Sequence, residues 1–328
     1  MTRAIVMHQP GDTSVLRYET VDVPAPQGTE VRVRNHAIGI NFIDTYYRTA
    51  LYPWPTTPLI PGSEAAGEVV AVGDAVSLVK VGDRVTYTTP VGAYAEERII
   101  DQRHLAVLPA DIAYDTAAAV TLKGLTVQYL LRQTFRVEAG QTILFHAAAG
   151  GVGLLAGQWA ASLGATVIGT AGSDEKVALA RAHGYTHVIN YRSENFVERV
   201  KEITGGAGVD VVYDSVGQDT YPASLDCLKQ RGMWVSFGQS SGPIRDFQLV
   251  QLANKGSLFA TRPKLFDYVE TPERLNAAAA ELFDVLRRGV VTVAINQRFA
   301  LKDVAQAQQA LEGRQTTVDG VGAVKEDW

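Results

Sequence analysis

Short runs of apolar and β-branched residues, separated by turn residues, fill about the first hundred positions of the chain. Residues 30–40 begin with valine and arginine in alternation, the period-two pattern of a strand with one buried face. Further β-rich runs lie at 64–72, 83–88 and 94–100, whereas four prolines within 52–61 predict an ordered loop there. This spacing predicts a β-rich domain that is partly barrel-like.

The pattern becomes helical from about residue 111, and strands and helices alternate after residue 141. Apolar strand-like runs are at 143–145, 166–170, 188–189, 209–213 and 233–237. Helical patterns are at 154–163, 174–183, 194–204 and 222–230. The alternation predicts an α/β fold, a doubly wound parallel sheet whose ligand loops lie along one edge. The remaining residues predict a helix at 272–288, a strand near 291–295 and a helix at 301–311.

Composition narrows the class of protein. A chain of 328 residues predicts two domains, and its net charge of −5, with both signs interspersed, argues against binding nucleic acid or an anionic membrane. No apolar run approaches the ~20 residues of a membrane span, and the N-terminal segment has no signal-peptide pattern, so we expect a cytoplasmic protein. Cys227 is the only cysteine, which excludes an internal disulfide and a multi-cysteine zinc site.

Residues 141–153 combine an apolar strand, a turn of alanines and glycines, and the start of a helix. Gly150, Gly151 and Val152 open this helix, where free N–H groups can hold a pyrophosphate. Ala156 stands where the last glycine of the dinucleotide motif would be, and the motif tolerates alanine there. The alternative is a turn of small residues needed only for packing. The context of strand, turn and helix favours a dinucleotide site.

The residues after the second strand of this series select the cofactor. The strand at 166–170 is not followed by the carboxylate that binds the ribose of NAD. A hydroxyl, an ammonium and a phenol that suit a 2′-phosphate are available there instead, from Gly172-Ser173, Lys176 and Tyr191. We therefore expect NADPH, and the alternative for Lys176 is a solvated surface lysine. Two later strand-end loops could hold the nicotinamide half: Ser215 and Val216 in one, and Gly238, Gln239, Ser240 and Ser241 in the other.

Several stretches together resemble the medium-chain dehydrogenase/reductase superfamily: AAAGGVG, GINFIDTYYR at 39–48 and PGSEAAGEV at 61–69. More narrowly, LKGLTVQYLL at 122–131, VVYDSVG at 211–217 and SLDCL at 224–228 are similar to its zinc-free NADPH:quinone oxidoreductases, the bacterial relatives of zeta-crystallin. The resemblance covers nearly the whole chain. It implies a GroES-like catalytic domain at 1–124 and 264–328, and a Rossmann NADPH-binding domain at 125–263.

The same resemblance bears on metal binding. Zinc-dependent members of the superfamily carry a cysteine where this chain has Asn41 and a histidine where it has Ser63. The cysteine-rich structural zinc lobe is missing too, so the resemblance implies no metal. For Glu64 a structural role is then favoured over a chemical one, and His146 is expected to be structural, near the glycine turn.

The resemblance also implies roles for individual residues. Asn41 would hydrogen-bond near the nicotinamide, and Tyr46 and Tyr52 would line the substrate cleft, so these three are our candidates for orienting substrate or stabilising a developing oxyanion. For Tyr46 the alternative is packing under the proline-rich loop. Further residues would lie beside the cofactor or close over it: Lys123, Thr126, Tyr129, Phe237 with the following loop to Ser241, Phe259 and Arg262. Arg314 would reach it as well, although the sequence after it departs from the family pattern.

These features predict transfer of a hydride, or of single electrons, from NADPH to a quinone or another electron-poor carbonyl. A quinone accepts negative charge readily and water can protonate it, so positioning is the main task of the protein. Two alternatives stay open: an NADPH-dependent enone or alkenal reductase, and a non-enzymatic protein that keeps NADPH as a structural or sensing ligand. The family is usually dimeric through edge strands of the Rossmann sheet, here residues 256–261, so we expect a homodimer.

Overall fold

The protein is described from a computed structural model, which describes residues 1–295 and 297–313 and the backbone of 323–324. The chain forms two compact units. Unit 1 comprises Met1–Leu125, Val269–Phe283 and the described residues from Val293 on. Unit 2 comprises Thr126–Tyr268 and Asp284–Thr292. The division into domains after residues 124 and 263 stays a prediction.

Unit 1 is built around antiparallel strands. They are β1 (Thr2–Val6), β2 (Arg17–Val21), β3 (Glu30–Gly39), β4 (Glu64–Val72), β5 (Arg84–Thr88), β6 (Glu97–Asp101) and β7 (Leu105–Val107). β1 pairs with β2, and the other five form a sheet in the order β6-β3-β4-β5-β7. The inward positions of the valine–arginine alternation, Val31 and Val33, are fully buried and belong to the core of this unit.

The central strand of this sheet, β4, fixes one residue that matters for the site. Glu64 is its first residue and pairs with Gly39, the last residue of β3, and with Thr88, the last residue of β5. Three strand ends therefore meet at one edge, and the Glu64 side chain is fully buried there.

Two helices follow strands of unit 1. The sequence did not predict α1 (Phe42–Arg48), because its aromatic and β-branched residues have weak helix propensity. It begins with a capping box: Asn41 precedes the helix, and its backbone N–H donates to Asp44 Oδ2 at 2.8 Å. The second helix, α2 (Tyr114–Tyr129), continues through Leu125–Thr126, where unit 1 gives way to unit 2 along the sequence.

Unit 2 alternates strands and helices. Its elements are β8 (Thr142–Phe145), α3 (Gly151–Ser162), β9 (Thr166–Ala171), α4 (Asp174–Ala182), β10 (His187–Asn190), α5 (Phe196–Ile203), β11 (Val209–Asp214), α6 (Ala223–Asp226), β12 (Leu228–Ser236), α7 (Val250–Asn254), β13 (Phe259–Thr261) and α8 (Leu265–Tyr268). The strands form one parallel sheet in the order β10-β9-β8-β11-β12-β13. The strand order reverses between β8 and β11, which is where such sheets bind ligands. The predicted doubly wound fold is confirmed.

The later part of the chain completes the fold. It contains α9 (Pro272–Arg287), β14 (Arg298–Phe299), α10 (Val304–Glu312) and β15 (Ala323–Val324), and β14 pairs in parallel with β15. Short 3-10 turns are at Thr13–Val15, Gln102–His104 and Leu301–Asp303, and a π-helical turn is at Leu130–Thr134.

Two predicted elements are wrong. The helix at 222–230 is only the four-residue α6, because β12 already begins at Leu228, which pairs with Val209 before a bulge interrupts the ladder. The strand near 291–295 is not formed. The backbone N–H of Thr292 donates to the side chain of Gln158 at 2.9 Å, and so it is not available for a hydrogen bond to a neighbouring strand.

Candidate functional site

The glycine turn of unit 2 lies at the switch point of the parallel sheet. β8 ends at Phe145, and Gly150 is the N-cap residue of α3, which begins with Gly151 and Val152. Because glycine has no side chain to cap the helix, the N–H groups of the first turn are left for a ligand. The turn has the geometry that the sequence analysis expected of a pyrophosphate site.

The residues expected to read a 2′-phosphate lie at the end of β9, the neighbouring strand. Ser173 caps α4, and its hydroxyl accepts a hydrogen bond from the backbone of Lys176 at 3.3 Å. Gly172 touches the tip of Tyr191: a Cβ at Gly172 would lie 2.5 Å from that phenol oxygen. No hydrogen bond or ion pair of the Lys176 ammonium occurs among the described residues, and Lys176 lies in the first turn of α4, directly after this strand end.

A carboxylate does lie nearby, but it is engaged. Asp174 Oδ1 accepts a hydrogen bond from Asn190 Nδ2 at 2.8 Å, and the residue stands in the first turn of α4, where its charge favours the helix dipole. The strand end therefore suits a phosphate better than a ribose 2′-hydroxyl.

A buried carboxylate holds the first of the two loops expected near the nicotinamide, and backbone hydrogen bonds tie the second loop to the first. Asp214, at the end of β11, accepts hydrogen bonds from the backbone of Val216 at 2.9 Å and from the Thr220 hydroxyl. The loop after β12 is tied to the loop after β11, because Ser240 N–H donates to Ser215 O at 3.1 Å and Ser241 N–H to Val216 O at 2.9 Å. The residues Ser215, Val216, Gly238, Gln239, Ser240 and Ser241 thus form one rigid rim.

His146, for which a structural role is expected, completes this buried network. It lies directly after β8 and its ring nitrogens contact the hydroxyls of Thr170 at 2.9 Å and Ser224 at 3.0 Å. Burial lowers the pKa of His146, which keeps the imidazole neutral.

The residues expected to close over the cofactor differ from one another in their contacts and in their exposure. Phe237 packs on Phe145 with ring centroids 5.6 Å apart, and Arg262 donates to Ser236 O at 3.0 Å. Phe259 is 52% exposed on the edge strand β13. Arg314 lies outside the described residues.

Tyr129 and Thr126 lie on the part of α2 that belongs to unit 2. Tyr129 is buried and stacks on Tyr268 with centroids 4.4 Å apart, and burial raises its pKa. Thr126 is buried as well. Tyr129 therefore stays a neutral phenol at any ordinary pH.

In unit 1, Asn41 and Lys123 meet on a single carboxylate oxygen. Asn41 Nδ2 donates to Glu64 Oε1 at 2.8 Å, and Lys123 Nζ donates to the same oxygen at 2.9 Å. The other oxygen, Oε2, accepts the backbone N–H of Leu122 at 2.6 Å. From the sequence, a structural role is expected for Glu64, and no motif connects it with these two predicted site residues. The only signal that could have done so is that Glu64 follows Ser63, the second of the two altered zinc positions.

Ser63 stands where the zinc-dependent members have a histidine, and its side chain is also hydrogen-bonded. Ser63 Oγ donates to Asp44 Oδ1 at 2.7 Å, and Tyr94 OH donates to Asp44 Oδ2 at 2.8 Å. Burial raises the pKa of Asp44 from 3.8 to about 6, against the opposing effect of these hydrogen bonds. No group of three histidine, cysteine or acidic side chains that could hold a metal ion occurs within the described part of the chain.

Tyr46 and Tyr52 are neighbours, as a shared cleft would require. Their rings meet edge to face with centroids 5.4 Å apart, and the backbone N–H of Tyr52 donates to Tyr46 O at 3.1 Å. Both side chains are half-buried. Tyr52 also contacts Tyr47, whose carbonyl accepts the indole N–H of Trp54, so an aromatic cluster links α1 to the proline-rich loop.

The structure thus groups the predicted residues into separate clusters. Unit 1 contains the Asn41–Lys123 pair and the pair of tyrosines, Tyr46 and Tyr52. Unit 2 contains the glycine turn, the residues at the end of β9 that are expected to bind a 2′-phosphate, and the rim formed by the loops after β11 and β12. Their roles toward a ligand stay predictions. Among the described helices, none combines the length and the apolar character that a membrane crossing requires.

Comparisons with known proteins agree with this architecture. Residues 27–111 match the model of the alcohol dehydrogenase GroES-like domain, and residues 151–270 match that of the zinc-binding dehydrogenases. A quinone oxidoreductase of Pseudomonas aeruginosa is 54% identical over 97% of this chain and 98% of its own. The crystal structure of the Escherichia coli quinone oxidoreductase complexed with NADPH is 49% identical and superposes with a TM-score of 0.95, covering 99% of this chain and 100% of that one. A 2-haloacrylate reductase of Burkholderia is 44% identical, over 96% and 97% of the two chains. The GroES-like fold of unit 1 is thereby confirmed.

Proposed function

This chain belongs to the quinone oxidoreductases of the medium-chain dehydrogenase/reductase superfamily, and we propose that it reduces quinones with NADPH and without zinc. The family that the sequence motifs indicated is confirmed. The observation that carries the cofactor choice is the end of β9, where Ser173 caps α4, Tyr191 lies against Gly172, Lys176 follows in the first turn of α4, and the Asp174 carboxylate is already hydrogen-bonded to Asn190.

The residues of the chain fit such a cofactor. The first turn of α3 at Gly150–Val152 would hold the pyrophosphate, and Lys176 and Tyr191 would hold the 2′-phosphate. When bound, NADPH supplies a hydride that, with one proton from water, converts a quinone into a hydroquinone and leaves NADP⁺. The rim formed by the loops after β11 and β12 orients the nicotinamide and excludes water from it, because Asp214 holds both loops in place.

The groups of unit 1 act on the substrate. The half-buried rings of Tyr46 and Tyr52 offer an aromatic surface for a flat quinone. Asn41 and Lys123 donate hydrogen bonds to the quinone oxygen as it gains negative charge. The proposed reaction uses no metal: Asn41 and Ser63 stand where the zinc-dependent members have ligands, and both side chains donate hydrogen bonds to carboxylates instead.

A second activity is supported by one observation, the 44% identity with a 2-haloacrylate reductase. Reduction of an activated C=C bond uses the same cofactor but needs a proton at the α-carbon. An acceptor panel separates the two activities: NADPH oxidation is followed with 1,4-benzoquinone, 9,10-phenanthrenequinone, 2-cyclohexen-1-one and 2-chloroacrylate. Fastest turnover of the quinones supports the proposal. Turnover of the enone and the haloacrylate alone would replace it with the second activity, and tight NADPH binding with no turnover would indicate a binding protein.

We further propose a cytoplasmic homodimer paired through β13. This strand pairs with β12 on one side and with no strand on its other side among the described residues, and Phe259 and Ala260 are exposed on it. An open strand edge of this kind favours pairing with a second copy. Sedimentation of the wild type as a dimer and of Ala260→Arg as a monomer would support this pairing; a monomeric wild type would refute it. Cell fractionation tests the location.

A further inference from the structure

Glu64 is the feature that the proposed mechanism leaves unused. It is 0% exposed, it is the first residue of the central strand β4, and both side chains that donate to it belong to predicted site residues. Oε1 accepts from Asn41 at 2.8 Å and from Lys123 at 2.9 Å, whereas Oε2 accepts from the Leu122 backbone. A buried carboxylate of this kind could be only a structural ion pair. However, the two side chains that donate to it, Asn41 and Lys123, are the proposed hydrogen-bond donors to the substrate, which indicates a role in the reaction.

We propose that Glu64 is a positioning residue that sets the orientation of the two hydrogen-bond donors, Asn41 and Lys123, for quinone reduction. The inference rests on the proposed function, since those donors act on the substrate oxygen only if a quinone is reduced. The carboxylate itself touches neither cofactor nor substrate. It acts through the two side chains that share its Oε1 atom.

The hydrogen-bond chemistry explains why a carboxylate is needed. An ionised carboxylate only accepts hydrogen bonds, so Glu64 forces the Asn41 amide to present its NH₂ group rather than its oxygen. One N–H of that group is used by Glu64 and the second remains for an acceptor. Lys123 likewise keeps hydrogens beyond the one given to Glu64. Two donors are thus fixed side by side by a single oxygen atom.

The Glu64 side chain passes close to the backbone of the neighbouring strand β3. A Cβ at Gly39, the residue paired with Glu64, would lie 2.3 Å from Glu64 Oε1 and 2.4 Å from its Cγ. Glycine is therefore required where the side chain crosses β3. The Leu122 N–H, at the middle of α2, fixes the opposite oxygen. Both ends of the carboxylate are anchored, so its direction is determined.

The substitution Glu64→Gln tests this inference with almost no change of shape. In either orientation the new amide NH₂ faces a donor, the Leu122 N–H or the Asn41–Lys123 pair, so the alignment is lost. We expect kcat with 1,4-benzoquinone to fall about 10- to 100-fold, the usual cost of losing charged hydrogen bonds, with a much smaller change in the KM for NADPH. Glu97→Gln is the matched control: it removes a carboxylate of the same unit that pairs with Arg32 and Arg34, away from the site residues, and should keep kcat.

A double-mutant cycle separates positioning from a general structural role. Because Glu64 acts through both Asn41 and Lys123, Glu64→Gln should lower kcat by a smaller factor in the Asn41→Ala background than in the wild type. Effects that multiply, or a Glu64→Gln kcat equal to the wild type, overturn the inference. Should Glu64→Gln not fold, Glu64→Asp, which keeps the charge but shortens the side chain by one methylene, replaces it in the cycle.

A second readout does not depend on activity. The side-chain NH₂ of Asn41 gives an amide resonance that is identified by its loss in Asn41→Ala. Glu64→Gln should move this resonance toward that of a solvated asparagine, and Glu97→Gln should not. An unmoved resonance refutes the contact. If the wild type reduces no quinone and the resonance still moves, the proposed function fails while the Glu64–Asn41 contact stands.

Discussion

Lys176→Ala is the substitution for which the structure gives the clearest expectation. The Lys176 ammonium has no partner among the described residues, and only its backbone N–H serves the fold, by donating to the Ser173 cap. Alanine keeps that N–H and is a good helix former, so the free energy of unfolding should stay within about 0.5 kcal/mol of the wild type. The substitution should therefore weaken cofactor binding without destabilising the fold.

The size of that cost follows from the chemistry of the contact. A charge-assisted hydrogen bond to a phosphate is worth roughly 1.5–3 kcal/mol, which corresponds to an increase in the KM for NADPH of about 10- to 150-fold. NADH has no 2′-phosphate, so its KM should change little. Both constants are measured with a saturating quinone, and Lys201→Ala, an exposed lysine on α5, is the control. Equal increases for both cofactors would refute the assignment of Lys176 to the phosphate.

Three further predictions follow from unit 1. Gly39→Ala should lower both the melting temperature and kcat, because its Cβ would lie 2.3 Å from Glu64 Oε1 and from the Ala118 carbonyl; an unchanged folded enzyme would show that Glu64 can shift freely. Asp44 holds its proton more tightly when folded, with a pKa of about 6 against 3.8, so its contribution to stability is full at low pH and about 3 kcal/mol of it is lost as the pH rises through 6. Urea unfolding at about pH 4 and about pH 7 measures this loss of unfolding free energy. The loss between the two pH values should be smaller for Asp44→Asn than for the wild type, because asparagine does not ionise; equal losses would contradict the raised pKa of Asp44. Dialysis against EDTA should leave kcat unchanged, and activity that is lost and then restored by Zn²⁺ would contradict the metal-free mechanism.

The fold was largely predictable because its pattern is local. Alternating strands and helices after residue 141, and the strand–glycine–helix unit ending at Gly151, carry their own signals in periodicity and turn residues. The failures are at places where a partner distant in sequence decides the structure. Leu228 joins β12 because Val209 pairs with it, and Thr292 leaves the expected strand because Gln158 takes its N–H.

The site was predictable to a smaller extent. The residues proposed to read the 2′-phosphate lie in the short β9–α4 turn and directly after the neighbouring strand β10, so sequence order nearly brings them together. Glu64 lies 23 residues from Asn41 and 59 from Lys123, and nothing in its local sequence shows that they meet. The helix α1 was missed for a related reason: its N-terminus is stabilised by the buried Asp44, whose Ser63 and Tyr94 partners come from elsewhere in unit 1.

In the proposed function, this chain passes reducing equivalents from NADPH to a quinone. The most direct measurement is the rate of NADPH and NADH oxidation by the purified protein with 1,4-benzoquinone and with 9,10-phenanthrenequinone, each corrected for the rate without enzyme. We predict quinone-dependent turnover with a kcat/KM for NADPH at least about tenfold above that for NADH. NADPH oxidation that is no faster with either quinone than without would contradict it.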